Sequence, residues 1–242
     1  MAVQTPSAPA SPAGLRRPIH RFSLVERVLH WTIAVTGIIC ILTGVGWFSK
    51  RSFGFLLTVF GGGETARVVH GVAGIILVAA SVALIGVLWR RYVFRFDKSD
   101  WDWLKVMGGY LSREKGAEQK APPQGFFNAG QRAWAVLALV LAALFLLSGV
   151  VIWWPDLLQN FLGQQTFPIA LVRWSYVVHD AAFIVFAPMV VLHIYLSTLL
   201  LPGTFQAMTK GEVSALWALH HHPLWYSEVT GPTGPTPPRD RP

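Results

Sequence analysis

Charged residues are scarce in this 242-residue chain, where they make up 13% of the sequence against 53% for hydrophobic residues. Soluble globular domains carry about 25% charged residues. The composition therefore excludes an ordinary soluble domain and predicts an integral membrane protein. Cysteine is nearly absent as well, and the single Cys40 excludes a disulfide within the chain.

Long apolar runs are abundant instead. A transmembrane helix needs about 20 mostly apolar residues to cross about 30 Å of hydrocarbon. Stretches of this length lie at about residues 28–48, 68–89, 133–154 and 174–201. Tryptophans cluster near the ends of these stretches, where the amphipathic ring suits the headgroup level. The predicted fold class is all-α, an integral membrane four-helix bundle.

The two ends of the chain differ in composition from the bundle. Residues 1–20 are rich in Pro, Ala and Ser and lack an apolar core followed by a cleavage site, so we expect a flexible extension and no removed signal. Residues 21–209 form the predicted membrane domain. Residues 210–242 form a predicted cytoplasmic tail, and its final segment VTGPTGPTPPRDRP is expected to be disordered.

Lysine and arginine are distributed unevenly between the predicted loops. Sixteen precede span one, lie between spans two and three, or follow span four, whereas the other side has Lys50, Arg51, Arg67 and Arg173. Because cytoplasmic loops carry the excess of Lys and Arg, both termini are predicted to be cytoplasmic. The net charge of +8 then reflects topology and attraction to membrane lipids, and nucleic acid is not an expected partner.

Four histidines lie within the predicted spans: His30, His70, His179 and His193. Span one runs outward and span two inward, which puts His30 near the inner face and His70 near the outer face. Span four also runs inward, so His179 is outer and His193 is inner. Their 14-residue spacing puts these two on one helix face, within roughly 40° and about 21 Å apart. Depth therefore predicts the pairs His70/His179 and His30/His193.

Two pairs of facing imidazoles are an arrangement for two bis-histidine haems. An imidazole donates a nitrogen lone pair to iron, and two such ligands leave a six-coordinate haem suited to electron transfer. The chain has no C-x-x-C-H motif for covalent attachment. The pairs also lack the carboxylate or thiolate companions of zinc and di-iron sites. Glycines in spans one and two could leave room for haem or serve helix packing: Gly37, Gly44, Gly71 and Gly74.

Other readings of the polar residues stay open. The histidines could be packing residues, or proton relays in a transporter, and the purified protein would then lack haem. Asp180 could bind a water or arginine near a propionate, assist docking of a soluble partner, or pair with Arg67 or Arg173. The sequence HHH at His220–His222 is expected to be a solvated tail that packs on the cytoplasmic loop or on a partner, with a metal site or a proton-collecting group as the alternative.

The chain resembles the gamma subunit, cytochrome b556, of membrane-bound respiratory formate dehydrogenase. The resemblance covers about residues 20–228 and is carried by RFSLVERVLHW, RVVHGVAG, FNAGQRAW, the His179/His193 pair and GEVSALWALHHHPLWYSEV. It implies a multi-pass protein of the cell inner membrane that serves anaerobic respiration.

The resemblance also implies a path for electrons. They would pass from an outer iron–sulfur beta subunit through an outer haem b (His70 and His179) and an inner haem b (His30 and His193) to menaquinone or ubiquinone. A separate alpha subunit with molybdenum or tungsten would oxidise formate, which this chain would not do alone. Hydrogenase and other reductase cytochromes b share the four-histidine plan, so such a subunit is the alternative.

The segment FNAGQRAW offers a candidate quinone site just before span three, on the predicted cytoplasmic side. Asn128 and Gln131 supply amide donors and acceptors. The resemblance implies a quinone pocket beside the inner haem, to which Asn128 and His193 contribute. Asn128 is equally suited to be the helix N-cap of span three, and the two roles are compatible.

Overall fold

The computed structural model describes residues 17–91, 93–114, 116–161, 163 and 168–231. Most of these residues are helical. Residues 1–16 of the predicted flexible extension and residues 232–242 of the predicted disordered segment lie outside the described residues.

Four long helices account for the predicted spans: α1 (Leu24–Phe48), α4 (Gly63–Leu88), α7 (Ala129–Trp153) and α9 (Ile169–Tyr195). Among the described residues, these are the helices that are long and apolar enough to cross a membrane, α9 being extended by a π-helical turn at Leu196–Leu200. Each begins four or five residues before the predicted span. The first helical turn accepts polar and charged side chains such as Glu26 and Glu64, which the search for apolar runs excludes.

Short elements connect and follow these helices. They are α2 (Lys50–Phe53), α3 (Phe55–Val59), α5 (Lys98–Lys105), α6 (Ala117–Lys120), α8 (Pro155–Phe161), α10 (Thr204–Thr209), α11 (Ala215–His221), α12 (Pro223–Thr230), and 3₁₀ turns at Trp89–Arg91 and Met107–Gly109. Two strands depart from the all-α prediction. Strand β1 (Pro18–His20) pairs antiparallel with β2 (Glu212–Ser214), and Ile19 is opposite Val213.

The chain divides into two compact units. The helical unit comprises Val25–Val87 and Leu137–Leu200, and the mixed unit comprises Met1–Leu24, Leu88–Val136 and Leu201–Pro242. In the helical unit many large apolar side chains are exposed, among them Leu147 and Val191, each 68% exposed. Since α-helices satisfy their own backbone hydrogen bonds, such apolar faces suit contact with lipid.

The described ends of the chain are more ordered than the sequence predicts. Pro18–His20 belongs to the predicted extension and Glu212–Ser214 to the predicted tail, yet the two pair as strands. Val213, Trp217 and Trp225 are buried in the core of the mixed unit. Burial of these apolar side chains and the strand hydrogen bonds supply the ordering energy that a Pro-rich or polar composition alone would lack.

The core of the mixed unit contains a buried cation. Arg21 is 2% exposed, and its guanidinium carbon lies 4.7 Å from the ring centroids of Phe126 and Trp225 and 5.0 Å from that of Trp217. Its Nη2 donates to the carbonyl oxygen of Phe126 at 2.6 Å. Burial and the nearby Arg91 cation lower the pKa of Arg21 to about 9, so the side chain stays charged at neutral pH. Aromatic faces and a carbonyl stabilise this charge in place of a carboxylate.

His222 completes this core and packs on the loop between spans two and three through Gly125, as predicted. It is 1% exposed, however, so the solvation predicted for His220–His222 is wrong at this residue. Nδ1 donates to the carbonyl oxygen of Gly125 at 2.7 Å, and Nε2, 3.2 Å from Arg21 Nη2, accepts from that cation. Burial and the Arg21 charge hold the pKa of His222 well below its usual value. Among the described residues, no group of three or more His, Cys, Asp or Glu side chains is placed to hold a metal ion.

A buried ion pair connects α5 to the first turn of α7. Asp97 caps α5 by accepting from the Asp100 amide at 3.0 Å, and the Asp97 amide donates to Asp100 Oδ2 at 3.0 Å. Arg132 Nη1 donates to the same Asp100 oxygen at 2.5 Å, and both side chains are largely buried. Asp100 therefore joins a capping box to a charge pair.

We predict that Asp100→Ala lowers the free energy of unfolding by about 3–5 kcal/mol, because it leaves the Arg132 cation buried without its partner. The measurement is thermal unfolding of the purified protein in detergent. Asp102→Ala is the matched control, since Asp102 is on the same helix and pairs with Lys105 at the surface. Equal melting temperatures for the two variants would contradict a structural role of the buried pair.

A second prediction concerns the pH dependence of stability. The pKa of His222 is lowered in the folded chain, so the unfolded chain takes up a proton below about pH 6.5 that the folded chain does not. The contribution of His222 is therefore complete above about pH 6.5 and is lost by about 1.4 kcal/mol per pH unit as the pH falls. Thermal unfolding between pH 8 and pH 5 measures it.

The paired variants are His222→Gln and His220→Gln. Gln can still donate to Gly125 and accept from Arg21 but does not titrate, so His222→Gln should flatten the pH profile. The remaining slope includes His221, whose pKa burial and the neighbouring His220 and Arg21 lower to about 4. His220→Gln should keep the parent profile, and an unchanged profile in His222→Gln would disprove the assignment.

Candidate functional site

The helical unit brings the four span histidines together in two pairs. His70 on α4 and His179 on α9 have ring centroids 6.0 Å apart, with their planes at 53°. His30 on α1 and His193 on α9 have ring centroids 6.1 Å apart, with their planes at 46°. These pairs are the ones that the depths of the residues predict. In both pairs, the two imidazoles come from different helices.

A hydroxyl group fixes the tautomer of His70. Thr43 Oγ1 on α1 lies 2.7 Å from His70 Nδ1 and also 2.7 Å from the carbonyl oxygen of Ile39 in its own helix. A hydroxyl has one proton, and we assign it to the Ile39 carbonyl, which can only accept and is four residues earlier, where helical threonines commonly donate. The Thr43 oxygen then accepts from His70 Nδ1–H. His70 Nε2 is left with a lone pair that can bind a metal.

The partner histidine has the same arrangement. Ser148 Oγ on α7 lies 2.9 Å from His179 Nδ1 and donates to the carbonyl oxygen of Leu144 at 2.5 Å. By the same proton count, His179 Nδ1–H donates to Ser148, and His179 Nε2 carries the lone pair. The outer pair therefore presents two Nε2 lone pairs, the donor set that a metal centre with two axial imidazoles requires.

A cavity beside the outer pair is lined by residues of all four long helices, including Gly44, His70, Gly74, Gly149, His179 and Phe183. A Cβ at Gly74 would meet no atom within 4 Å, which indicates open space. At Gly44 and Gly149 the nearest atoms would be His70 Cε1 and His179 Cε1, each at 3.7 Å. These small residues leave room next to the imidazoles, as a flat macrocycle would need.

Other glycines of the bundle serve packing. A Cβ at Gly71 would lie 1.9 Å from the Trp153 ring, so the close approach of the tryptophan requires glycine there. At Gly37 a Cβ would touch Phe186 at 3.7 Å. The sequence left haem clearance and helix packing open for these glycines. Packing accounts for Gly71, whereas Gly74 borders open space.

The inner pair lacks the hydroxyl contact on one side. His30 Nδ1 is buried and has no hydrogen-bond partner among the described residues. The neighbouring Trp31 presents its ring edge-on, with centroids 5.6 Å apart, and offers no acceptor oxygen. The outer and inner pairs thus have similar ring separations but different surroundings at the nitrogen remote from the partner.

Asp180 lines the cavity and forms no ion pair with another described residue. Its side chain is exposed and lines the cavity beside His179. Among the described residues, no ion pair joins it to Arg67 or Arg173, and Arg67 pairs with Glu64 at 3.2 Å instead. The pairing that the sequence favoured for Asp180 is therefore not present.

Asn128 and Gln131 belong to the mixed unit and cap α7. The Gln131 amide donates to Asn128 Oδ1 at 2.8 Å, and the Asn128 amide donates to Gln131 Oε1 at 3.1 Å. This reciprocal pair is a capping box. Both side-chain oxygens are used, whereas Asn128 Nδ2 and Gln131 Nε2 take no part in it and can donate to another group.

Sequence reasoning missed Thr43 and Ser148, although the chain carries a signal for them. Leu-Thr-Gly-Val at residues 42–45 in the first span returns as Leu-Ser-Gly-Val at residues 147–150 in the third. In each copy the hydroxyl residue contacts a histidine ring of the following long helix, and the next glycine borders the same ring. A hydroxyl followed by glycine at the same depth as a span histidine is the pattern that identifies the contact.

Sequence comparison shows which known proteins this chain is similar to. The family model of prokaryotic cytochrome b561 matches residues 21–211. The nitrate-inducible formate dehydrogenase cytochrome b556 (Fdn) subunit of Escherichia coli is 32% identical over 87% of this chain and 91% of its own length. The formate dehydrogenase cytochrome b556 (fdo) subunit of the same organism is 30% identical over 88% of this chain and 94% of its own.

A third relative is the formate dehydrogenase cytochrome b556 subunit of Haemophilus influenzae, 29% identical over 87% of this chain and 83% of its own length. The family match covers most of the chain, including the four helices and the four histidines. This chain belongs to the prokaryotic cytochrome b561 family.

Proposed function

We propose that this chain is the cytochrome b membrane-anchor subunit of a formate dehydrogenase, which passes electrons through two b haems to quinone. The proposal depends on the two histidine pairs of the helical unit, whose ring centroids lie 6.0 and 6.1 Å apart. We infer formate as the substrate of the complex from the relatives, which are named as formate dehydrogenase subunits. His70 and His179 hold the outer haem, and His30 and His193 hold the inner one.

The separations of the rings fit iron between them. A metal–imidazole bond is about 2 Å long and the bonded nitrogen lies about 1 Å from its ring centroid, so rings on opposite sides of one ion have centroids about 6 Å apart. The two pairs have separations of 6.0 and 6.1 Å. The Nε2 lone pairs of the outer pair and the open space at Gly74 support the same assignment.

A haem held by one of these histidine pairs would transfer single electrons, and two imidazole ligands would suit it to electron transfer more than to oxygen binding. The protein's part is to hold the rings at two depths of the membrane, about 21 Å apart along α9. The excess of Lys and Arg on one side supports cytoplasmic termini, with His70 and His179 toward the outside. Electrons then enter at the outer pair and leave at the inner pair.

The partners follow from the same assignment. An iron–sulfur beta subunit docks outside and delivers electrons, and an alpha subunit with molybdenum or tungsten oxidises formate. This chain supplies the membrane anchor in the cell inner membrane and the quinone-reducing end of the path. Because the family match is broader than formate dehydrogenase, the second candidate is the equivalent subunit of a hydrogenase or another reductase. Co-purification with a molybdenum or tungsten subunit, against a nickel subunit, distinguishes them.

We assign quinone binding to Asn128 and Gln131. Both precede or begin the third span on its cytoplasmic side, the membrane level predicted for His30 and His193. Their side-chain oxygens are held in the capping box, so Nδ2 and Nε2 are oriented donors for the carbonyl oxygens of menaquinone or ubiquinone. Protons taken from the cytoplasm for quinone, with formate oxidised outside, would generate a membrane potential.

We predict that each single substitution His30→Ala, His70→Ala, His179→Ala or His193→Ala removes one of the two haems. A pyridine haemochrome assay should show about half the parent haem content, because each variant retains one intact pair. His20→Ala is the control, since His20 is exposed and outside the spans, and it should keep the full content. Full haem content in any of the four span variants would disprove that ligand, and a parent without haem would favour the transporter alternative.

For the quinone site we predict slower oxidation of the reduced haems in Asn128→Ser and Gln131→Glu. Ser and Glu preserve the capping box but lack the amide donor, so the helix start should stay intact. Both haems should remain bound and be reduced by formate in membranes at the parent rate. Stopped-flow measurement of their oxidation by added quinone reads out the defect. Parent rates in both variants would exclude these donors from the site.

A further inference from the structure

We propose that Thr43 and Ser148 are positioning residues of the outer haem, which orient its two ligands and lower its reduction potential relative to that of the inner haem. The inference rests on the proposed function, because it takes His70 and His179 as iron ligands. It adds the residues that hold these ligands and the reason that electrons move inward.

The two outer histidines donate their hydrogen bonds to the hydroxyl oxygens of Thr43 and Ser148. The hydroxyl protons of Thr43 and Ser148 go to carbonyl oxygens four residues earlier, at 2.7 and 2.5 Å. Their oxygens therefore accept from the Nδ1–H groups of His70 and His179, at 2.7 and 2.9 Å. A ligand histidine that donates its other N–H to an oxygen is held in one ring orientation and becomes a stronger electron donor.

The donor strength of the histidine ligands affects the reduction potential of the haem iron. Ferric iron carries more charge than ferrous iron and gains more from a strong donor. Hydrogen bonding to the ligands is one means by which a protein sets the potential of a haem. Two such bonds on one iron act in the same direction. Thr43 and Ser148 should therefore make the outer haem harder to reduce.

The inner pair differs from the outer pair at Nδ1 of His30. Among the described residues His30 Nδ1 has no acceptor, so this ligand lacks the bond that strengthens both outer ligands. The inner haem should for this reason have the higher potential. An electron delivered to the outer haem then passes inward to a better acceptor, which is the direction the proposed function needs.

The same hydroxyl–histidine contact occurs at two separate places in the chain. Each hydroxyl is anchored to the preceding turn of its own helix, which fixes the position of its oxygen. The following residue is glycine in both cases, and a Cβ there would lie 3.7 Å from the same histidine ring. Threonine on α1 and serine on α7 thus present the same group to α4 and α9 respectively.

The test uses Thr43→Val and Ser148→Ala in the full chain within its native complex. Potentiometric measurement of the haem spectra gives two components, and His70→Ala identifies the outer one by its loss. In each hydroxyl variant we expect the ratio of reduced to oxidised outer haem at a fixed potential to rise about tenfold, which corresponds to about 59 mV for one electron. The low-spin ferric EPR signal of the outer haem should shift as well.

The controls separate the histidine contact from a general effect on the helix. Thr36→Val removes a buried hydroxyl of α1 that donates to the Thr32 carbonyl oxygen and, among the described residues, forms no hydrogen bond with a histidine. Ser81→Ala does the same on α4, where the hydroxyl donates to Leu77. Both should leave the outer potential unchanged. Thr43→Ser keeps the oxygen and should restore the parent potential and EPR signal.

Loss of the outer haem in Thr43→Val, with retention in Thr36→Val and Thr43→Ser, would support a positioning role. An unchanged outer potential and EPR signal in both hydroxyl variants would overturn it, as would an equal shift in Thr36→Val. If His70→Ala keeps both haems, the proposed ligands fail instead. The failure of the proposed function is therefore distinguishable from failure of this inference.

Discussion

Each imidazole of the outer pair must satisfy one ring nitrogen to present the other to a metal, and this requirement governs the surroundings of that pair. An unpaired N–H inside an apolar bundle is costly, and a freely rotating ring binds a metal poorly. In the outer pair the hydroxyls of Thr43 and Ser148 solve both problems at once. The helices supply apolar faces, and two side-chain oxygens give the site its geometry.

The mixed unit meets the same requirement for a charge. Arg21 is almost fully buried, and ring faces, a carbonyl oxygen and neutral His222 surround its guanidinium. His222 uses one nitrogen to donate to Gly125 and the other to accept from the arginine. Protonation would place two positive charges side by side in an apolar core. The neutral state of one imidazole is therefore part of the folded structure of this unit.

Much of the architecture follows from the sequence because membranes impose simple rules. Uninterrupted apolar length predicts the four long helices, and their order alone gives the depths that pair His70 with His179 and His30 with His193. The starts of the helices lie four or five residues earlier because helical first turns accept charged residues such as Glu26. Asn128 caps α7, as its residue type and its position before an apolar run predict.

Other features depend on contacts between distant segments, which composition does not reveal. The burial of His222 depends on Arg21 and Gly125, about 200 and 100 residues away in the chain. The pairing of Pro18–His20 with Glu212–Ser214 is equally non-local. Thr43 and Ser148 are ordinary residues by type, and their importance arises from the hydrogen bonds they accept. Periodicity and charge counts do not detect such pairs.

The strand pair has a consequence for biosynthesis. Pro18 leaves the ribosome early, but its partner Ser214 follows about 200 residues later, which takes roughly 10 to 40 s at about 5–20 residues per second. During that interval all four spans must be synthesised, and β1 waits without its partner strand. Closure of the ladder is thus a late event that follows synthesis of the last span. A chain truncated before β2 would leave Pro18–His20 without its partner strand.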